Sequence, residues 1–122
     1  MAVKALEARR LEPARQLLQQ AAKLGATEAS LRLAEMYDPK TWSSDQSPVE
    51  QPDWETASYW YEEAARGGEA RGMIGAGRLY CEFAVDPVFI ERGLEWLRKA
   101  ATAPDAGAEV KKLLTACEGK SP

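Results

Sequence analysis

The sequence predicts an all-α fold made of repeated helix pairs. Three observations carry this. A short pattern of bulky, polar and Ala-Ala positions recurs three times along the chain of 122 residues. Each copy divides into two stretches in which apolar residues follow helical spacing. Start and stop signals sit between those stretches where helix ends need them.

In order along the chain, Met1 to Arg10 is helix-prone and reads as the end of an earlier helix. Pro13 suits a first turn, so the first helix of copy one is expected to begin near Leu11 or Glu12. It carries Leu17-Leu18-Gln19-Gln20-Ala21-Ala22 and stops near Gly25; its partner carries Leu33-Ala34-Glu35-Met36-Tyr37. Copy two places Trp60-Tyr61-Glu62-Glu63-Ala64-Ala65 on the first element, offset by 43 residues. Copy three repeats the pattern 36 residues later as Trp96-Leu97-Arg98-Lys99-Ala100-Ala101. Ala14, Ala57 and Gly93 share one small position upstream of each. The spacing of Trp54, Ala57, Trp60, Tyr61, Ala64 and Ala65 predicts a helix over 54–66, with Asp53 as N-cap and Gly67-Gly68 as a left-handed stop. A second helix follows over 70–81, with Met73, Ile74, Gly77 and Tyr80 facing inward. Asp86-Pro87 opens copy three, and Asp105 to Cys117 reads as a capping helix. The chain is thus one domain, 1–122, with repeat one at 11–53, repeat two at 54–87 and repeat three at 88–118. Repeat one includes a long loop, 38–53.

Five glycines in RGGEARGMIGAGRLY raise a rival reading, because Gly72 to Leu79 lies one step from a phosphate-binding loop. Such a loop follows a strand and needs Lys and Ser/Thr where Arg78 and Leu79 stand. A helix precedes these glycines, and Gly77 aligns with Ala34. The position asks for a small residue that lets helices approach.

Bulk properties exclude several functions. The net charge is −3 and the basic side chains are scattered among acids, so there is no footprint for nucleic acid. No apolar run reaches membrane-spanning length. The chain has no histidine, which removes the usual general base and metal ligand. No C-x-x-C pair and no nucleophile–base pair is present, so neither a metal nor a cofactor is expected, and no enzymatic activity. The opening residues lack the apolar core of a secretory signal, which sets the cytoplasm as the default; a piece of a longer exported protein would instead sit outside it.

With both helices of each copy in place, the pattern resembles the Sel1-like repeat, a relative of the tetratricopeptide repeat. Copy two carries Ala57, Trp60-Tyr61, Ala64-Ala65, Gly68, Ala70, Gly72, Gly77 and Tyr80 of that motif. Copy one carries Ala14, Leu17-Leu18, Ala21-Ala22, Gly25, Ala29, Leu33-Ala34 and Tyr37. Copy three keeps Gly93, Trp96-Leu97, Ala100-Ala101, Ala106 and Ala108, but has Pro104 for the turn glycine. The resemblance implies a right-handed α-solenoid whose second helices line a concave face. It also implies a non-catalytic adaptor or scaffold that binds a peptide or partner domain. Family members are in many cases bacterial and exported. A structural spacer within a larger protein is the alternative role.

On that concave face the candidate partner-binding residues are Arg32, Glu35, Arg71, Arg78 and Lys111, a largely basic row suited to an acidic segment or a terminal carboxylate. A solvated face with ion pairs such as Glu28–Arg32 is the competing reading. Trp42, in the aperiodic loop, either anchors a partner or folds back over helix ends. Glu62-Glu63 aligns with Gln19-Gln20 and Arg98-Lys99, and a position that changes sign reads as solvated. Cys81 and Cys117 occupy equivalent places in copies two and three. Stacked helices lie about 9 Å apart and a disulfide needs Cα atoms within about 7 Å, so both are expected as free thiols. An uncapped N-terminal end leaves end-to-end self-association open.

Overall fold

A computed structural model describes residues 2–104 and 106–120, with side chains from residue 13 onward. Among the described residues there are six α-helices and no strand. They are α1 (Ala2–Lys23), α2 (Thr27–Tyr37), α3 (Trp54–Arg66), α4 (Ala70–Phe83), α5 (Pro87–Ala101) and α6 (Ala108–Glu118). Each helix packs against the next in sequence, and α4 also touches α6.

The start and stop signals explain several of the ends. The Asp53 carboxylate accepts from the backbone N–H groups of Glu55 and Thr56, which α3 leaves without intrahelical partners. Gly68 takes φ +90°, the left-handed conformation that turns the chain from α3 into α4 at no side-chain cost, and Gly25 does the same after α1. Pro87 sits in the first turn of α5 behind Asp86, which caps Val88.

Two boundaries depart from expectation. Residues 2–10 are not the tail of a separate helix: α1 is continuous from Ala2 to Lys23, with Pro13 in its interior. Proline there forfeits one backbone bond and crowds the carbonyl four residues earlier, but it does not force a break. At the other end, Asp105 lies outside the described residues, and α6 begins at Ala108 behind Gly107, with no side-chain cap.

The core follows most of the repeated positions, although Leu17, at the place of Trp60 and Trp96, is exposed. Leu31, Leu33 and Ala34 of α2 meet Ala57, Trp60, Tyr61 and Ala64 of α3, and Ala76, Leu79 and Tyr80 of α4. Ile90, Leu94 and Leu97 of α5 continue it towards Cys81 and Cys117. Small residues set the helix spacing. A methyl group at Gly72 would lie 2.5 Å from the Tyr61 carbonyl oxygen and 2.7 Å from the Ala65 nitrogen. Both are backbone atoms and cannot swing aside. At Gly77 it would strike the Leu97 side chain at 2.6 Å. The glycines of α4 therefore serve close approach to α3 and α5. Gly72→Ala is expected to lose about 2–3 kcal/mol of stability through overpacking, despite alanine's better helix propensity. A urea titration checks this, and an unchanged midpoint would refute it.

Candidate functional site

The loop between α2 and α3 builds one wall of an open cleft. All four carbonyls that end α2 are answered. The Asp38 N–H donates to Ala34 O at 2.8 Å, and the Asp53 N–H to Tyr37 O at 2.8 Å. Thr41 Oγ1 donates to Glu35 O at 2.6 Å, and Ser47 Oγ to Met36 O at 2.7 Å. A helix C-terminus leaves four such acceptors open, and here residues of the following loop satisfy them. The loop stands off α1 as a wall. Between them lies a cleft of about 440 Å3 with Ala14, Leu18 and Met36 as its apolar part, and Arg32, Glu35, Thr41, Ser43, Gln46 and Ser47 as its polar part.

Two of the expected partner-binding residues, Arg32 and Glu35, thus share one cleft. The Arg32 side chain is 64% exposed, and its nearest carboxylate, Glu28, is 3.9 Å away. Arg71 is engaged elsewhere. Its guanidinium holds Glu28 at 2.9 Å and Glu69 at 3.2 Å, across the α2–α4 surface. That hydrogen bond holds the Glu69 carboxyl below the usual carboxylate range. Lys111 is exposed on α6, away from the cleft lining. Trp42 folds back onto its own loop, where the indole Nε1 donates to Val49 O at 3.1 Å.

Arg78 is not on an open basic row. It is largely buried and ion-paired to Asp38, which is fully buried. The same carboxylate accepts from Tyr61 Oη at 2.7 Å and from the Lys40 N–H at 2.9 Å. One acid therefore ties the end of α2 to α3 and α4. Burial, and then the bond to Asp38, push the Tyr61 phenol far above its ordinary range.

A second clamp of the same kind corrects the reading of Glu62 as solvated. Glu62 is only 3% exposed. Its carboxylate accepts from Tyr80 Oη at 2.6 Å, Arg92 Nε at 2.7 Å and Trp96 Nε1 at 2.8 Å. It joins α3 to α4 and α5. Burial, then the bond to Glu62, raise the Tyr80 phenol. A change of sign between copies therefore does not mark this position as solvated in copy two. In sequence only the tyrosine-and-arginine content of the next helices hints at the clamp. Among the described residues, no buried side-chain polar atom is left without a partner.

Cys81 and Cys117 form a disulfide, with Cα atoms 5.3 Å apart, and are not free thiols. The expectation failed because helix spacing is measured between axes. Cα atoms stand about 2.3 Å off each axis, so facing positions approach far closer than the axes do. The α6 helix brings Cys117 to face Cys81 instead of keeping the full repeat offset. Lys120 Nζ donates to the Cys81 carbonyl at 2.8 Å and closes the same contact.

Fold and site together define an all-helical protein with packed neighbouring helices, a loop-walled cleft at one end and two buried carboxylate clamps. Compared with known protein families, curated proteins and solved structures, the chain has no match. No helix among the described residues is long and apolar enough to cross a membrane.

Proposed function

We propose that this protein is a non-catalytic interaction module, an adaptor or scaffold that takes a peptide or partner domain in the cleft between α1, α2 and the 38–53 loop. Its helix pairs would stack as a solenoid of Sel1-like repeats. The observation that carries the reading is the cleft itself, where the loosely paired Arg32 stands beside Glu35 over an apolar floor. A segment lying there gains burial from Leu18 and Met36 and a charge-assisted bond from Arg32. Self-association through the α1 end remains part of this proposal.

One observation favours a spacer role. Arg71 and Arg78, expected to continue the basic row, are neutralised by Glu28, Glu69 and Asp38. A module that only holds other domains apart needs no free charge. The test is affinity capture from source-cell lysate with the wild-type protein and an Arg32→Glu/Glu35→Arg variant. These side chains are at the cleft and outside both clamps, so the variant keeps its fold. A partner held by the wild type and released by the folded variant supports the module. No enriched partner with either protein supports the spacer.

The disulfide also moves the proposed compartment from the cytoplasmic default to an oxidising one, since such bonds persist outside reducing cytosol. Rapid alkylation of the protein as drawn from its source cells should leave Cys81 and Cys117 unlabelled. Complete labelling of both would return the protein to a reducing compartment.

A further inference from the structure

We propose that the crevice between α3, the C-terminal half of α4 and the first turn of α5 binds a small quaternary ammonium compound. This site lies apart from the partner cleft and does not depend on it. Trp54, Glu55, Ser58, Tyr80 and Phe89 line a space of about 200 Å3. The Trp54 and Tyr80 rings meet edge to face, 6.3 Å between centroids at 84°. Phe89 runs nearly parallel to Tyr80, at 5.8 Å and 20°. Trp54 therefore stands at right angles to Tyr80, and Phe89 stacks against Tyr80, so three rings border the crevice. Phe83 stacks on Trp54 at 6.0 Å and fixes it, while the bond from Tyr80 Oη to Glu62 fixes Tyr80.

The chemistry of the lining selects the ligand. Aromatic faces attract cations, and quaternary ammonium groups are the ligands most suited to a box of such faces. The Glu55 carboxylate is exposed at the crevice and takes part in no ion pair or hydrogen bond among the described residues. It supplies the counter-charge. The positive end of α3 is already answered by Asp53, which accepts from the N–H groups of Glu55 and Thr56. The Arg92 guanidinium lies 5.9 Å from the Tyr80 ring centroid, and its charge is matched by Glu62 at 2.7 Å.

Directional donors are scarce. The Ser58 hydroxyl is buried and donates to the Glu55 carbonyl at 2.8 Å. A phosphate or carboxylate entering the crevice would lose its water and gain little. A trimethylammonium group has no N–H and forfeits no hydrogen bond on entry. The volume is below the roughly 300–1,000 Å3 of drug-sized sites, which suits a head group on a short tail. That small volume favours a free solute over a side chain carried on a protein.

The test is a titration of the intact, oxidised protein with choline, followed by the NMR signal of the Trp54 indole N–H. The controls are 3,3-dimethylbutanol, a neutral isostere of choline, and sodium chloride at matched ionic strength. Saturable shifts with choline alone are expected. Phe89→Ala and Glu55→Gln, both at exposed positions, should each weaken binding by about fivefold, and Phe89→Tyr should retain it. Equal binding of the neutral isostere, or choline binding unaffected by Phe89→Ala and Glu55→Gln, would overturn the assignment. So would the absence of any Trp54 shift in folded protein. Tighter binding of a trimethyl-lysine peptide than of choline would overturn the choice of a free solute.

Discussion

Asp38→Ala is expected to lower the free energy of unfolding by about 3–5 kcal/mol, the range seen when one partner of a buried ion pair is removed. Asp38 is fully buried and accepts from Tyr61, Arg78 and the Lys40 N–H. Alanine leaves a guanidinium only 14% exposed with just the looser, exposed Glu82 carboxylate at 4.0 Å, and a buried phenol without its acceptor. Both would have to find water or move. The damage reaches α2, α3 and α4 together, because this one carboxylate bridges them. Urea unfolding followed by circular dichroism measures the loss. Replacing the three side chains, as Asp38→Leu/Tyr61→Phe/Arg78→Met, should recover most of the loss, since only the N–H of the exposed Lys40 then loses its acceptor. A loss below about 1 kcal/mol for Asp38→Ala would show that the pair is solvated and holds little.

Reducing the Cys81–Cys117 bond should cost a similar amount. It closes a sequence separation of 36 residues. Loop-closure entropy for that length corresponds to about 4 kcal/mol at room temperature. The effect should be uneven along the chain. Among its own residues α6 buries Val110 and Cys117, and it is tied to α4 through the disulfide and the Lys120 bond. Hydrogen exchange should therefore rise first in α6 of the Cys81→Ala/Cys117→Ala variant, with α3 and α4 protected by the clamps at Asp38 and Glu62. Identical urea midpoints for oxidised and fully reduced protein would refute this.

Much of the fold was legible along the chain, because its causes are local. The α3 helix runs from Trp54 to Arg66 as its periodicity, Asp53 and Gly67-Gly68 required. The glycines of α4 were readable as close-approach positions, since Gly77 aligned with an alanine and lacked the lysine and hydroxyl of a phosphate loop. Pro13 was misread, because the rule that places proline in a first turn describes a preference, and α1 accepts the loss of one bond. The loop was silent in a different way. Thr41 and Ser47 look like ordinary loop residues until the carbonyls of Glu35 and Met36 are seen to need them.

Sequence alone determined that this protein is helical, where α3 and α4 begin, and which face of these two helices is apolar. Those properties depend on neighbours three or four residues apart. Tertiary structure alone decided the fate of its charges and thiols. Arg78 meets an acid 40 residues away, Glu62 meets Trp96 34 residues away, and Cys81 meets Cys117 across 36. A repeat alignment assigns equal surroundings to equal positions. In the folded chain the neighbours differ, so Glu62 becomes the centre of a buried clamp, Arg78 leaves the surface, and two cysteines at equivalent places come to face each other.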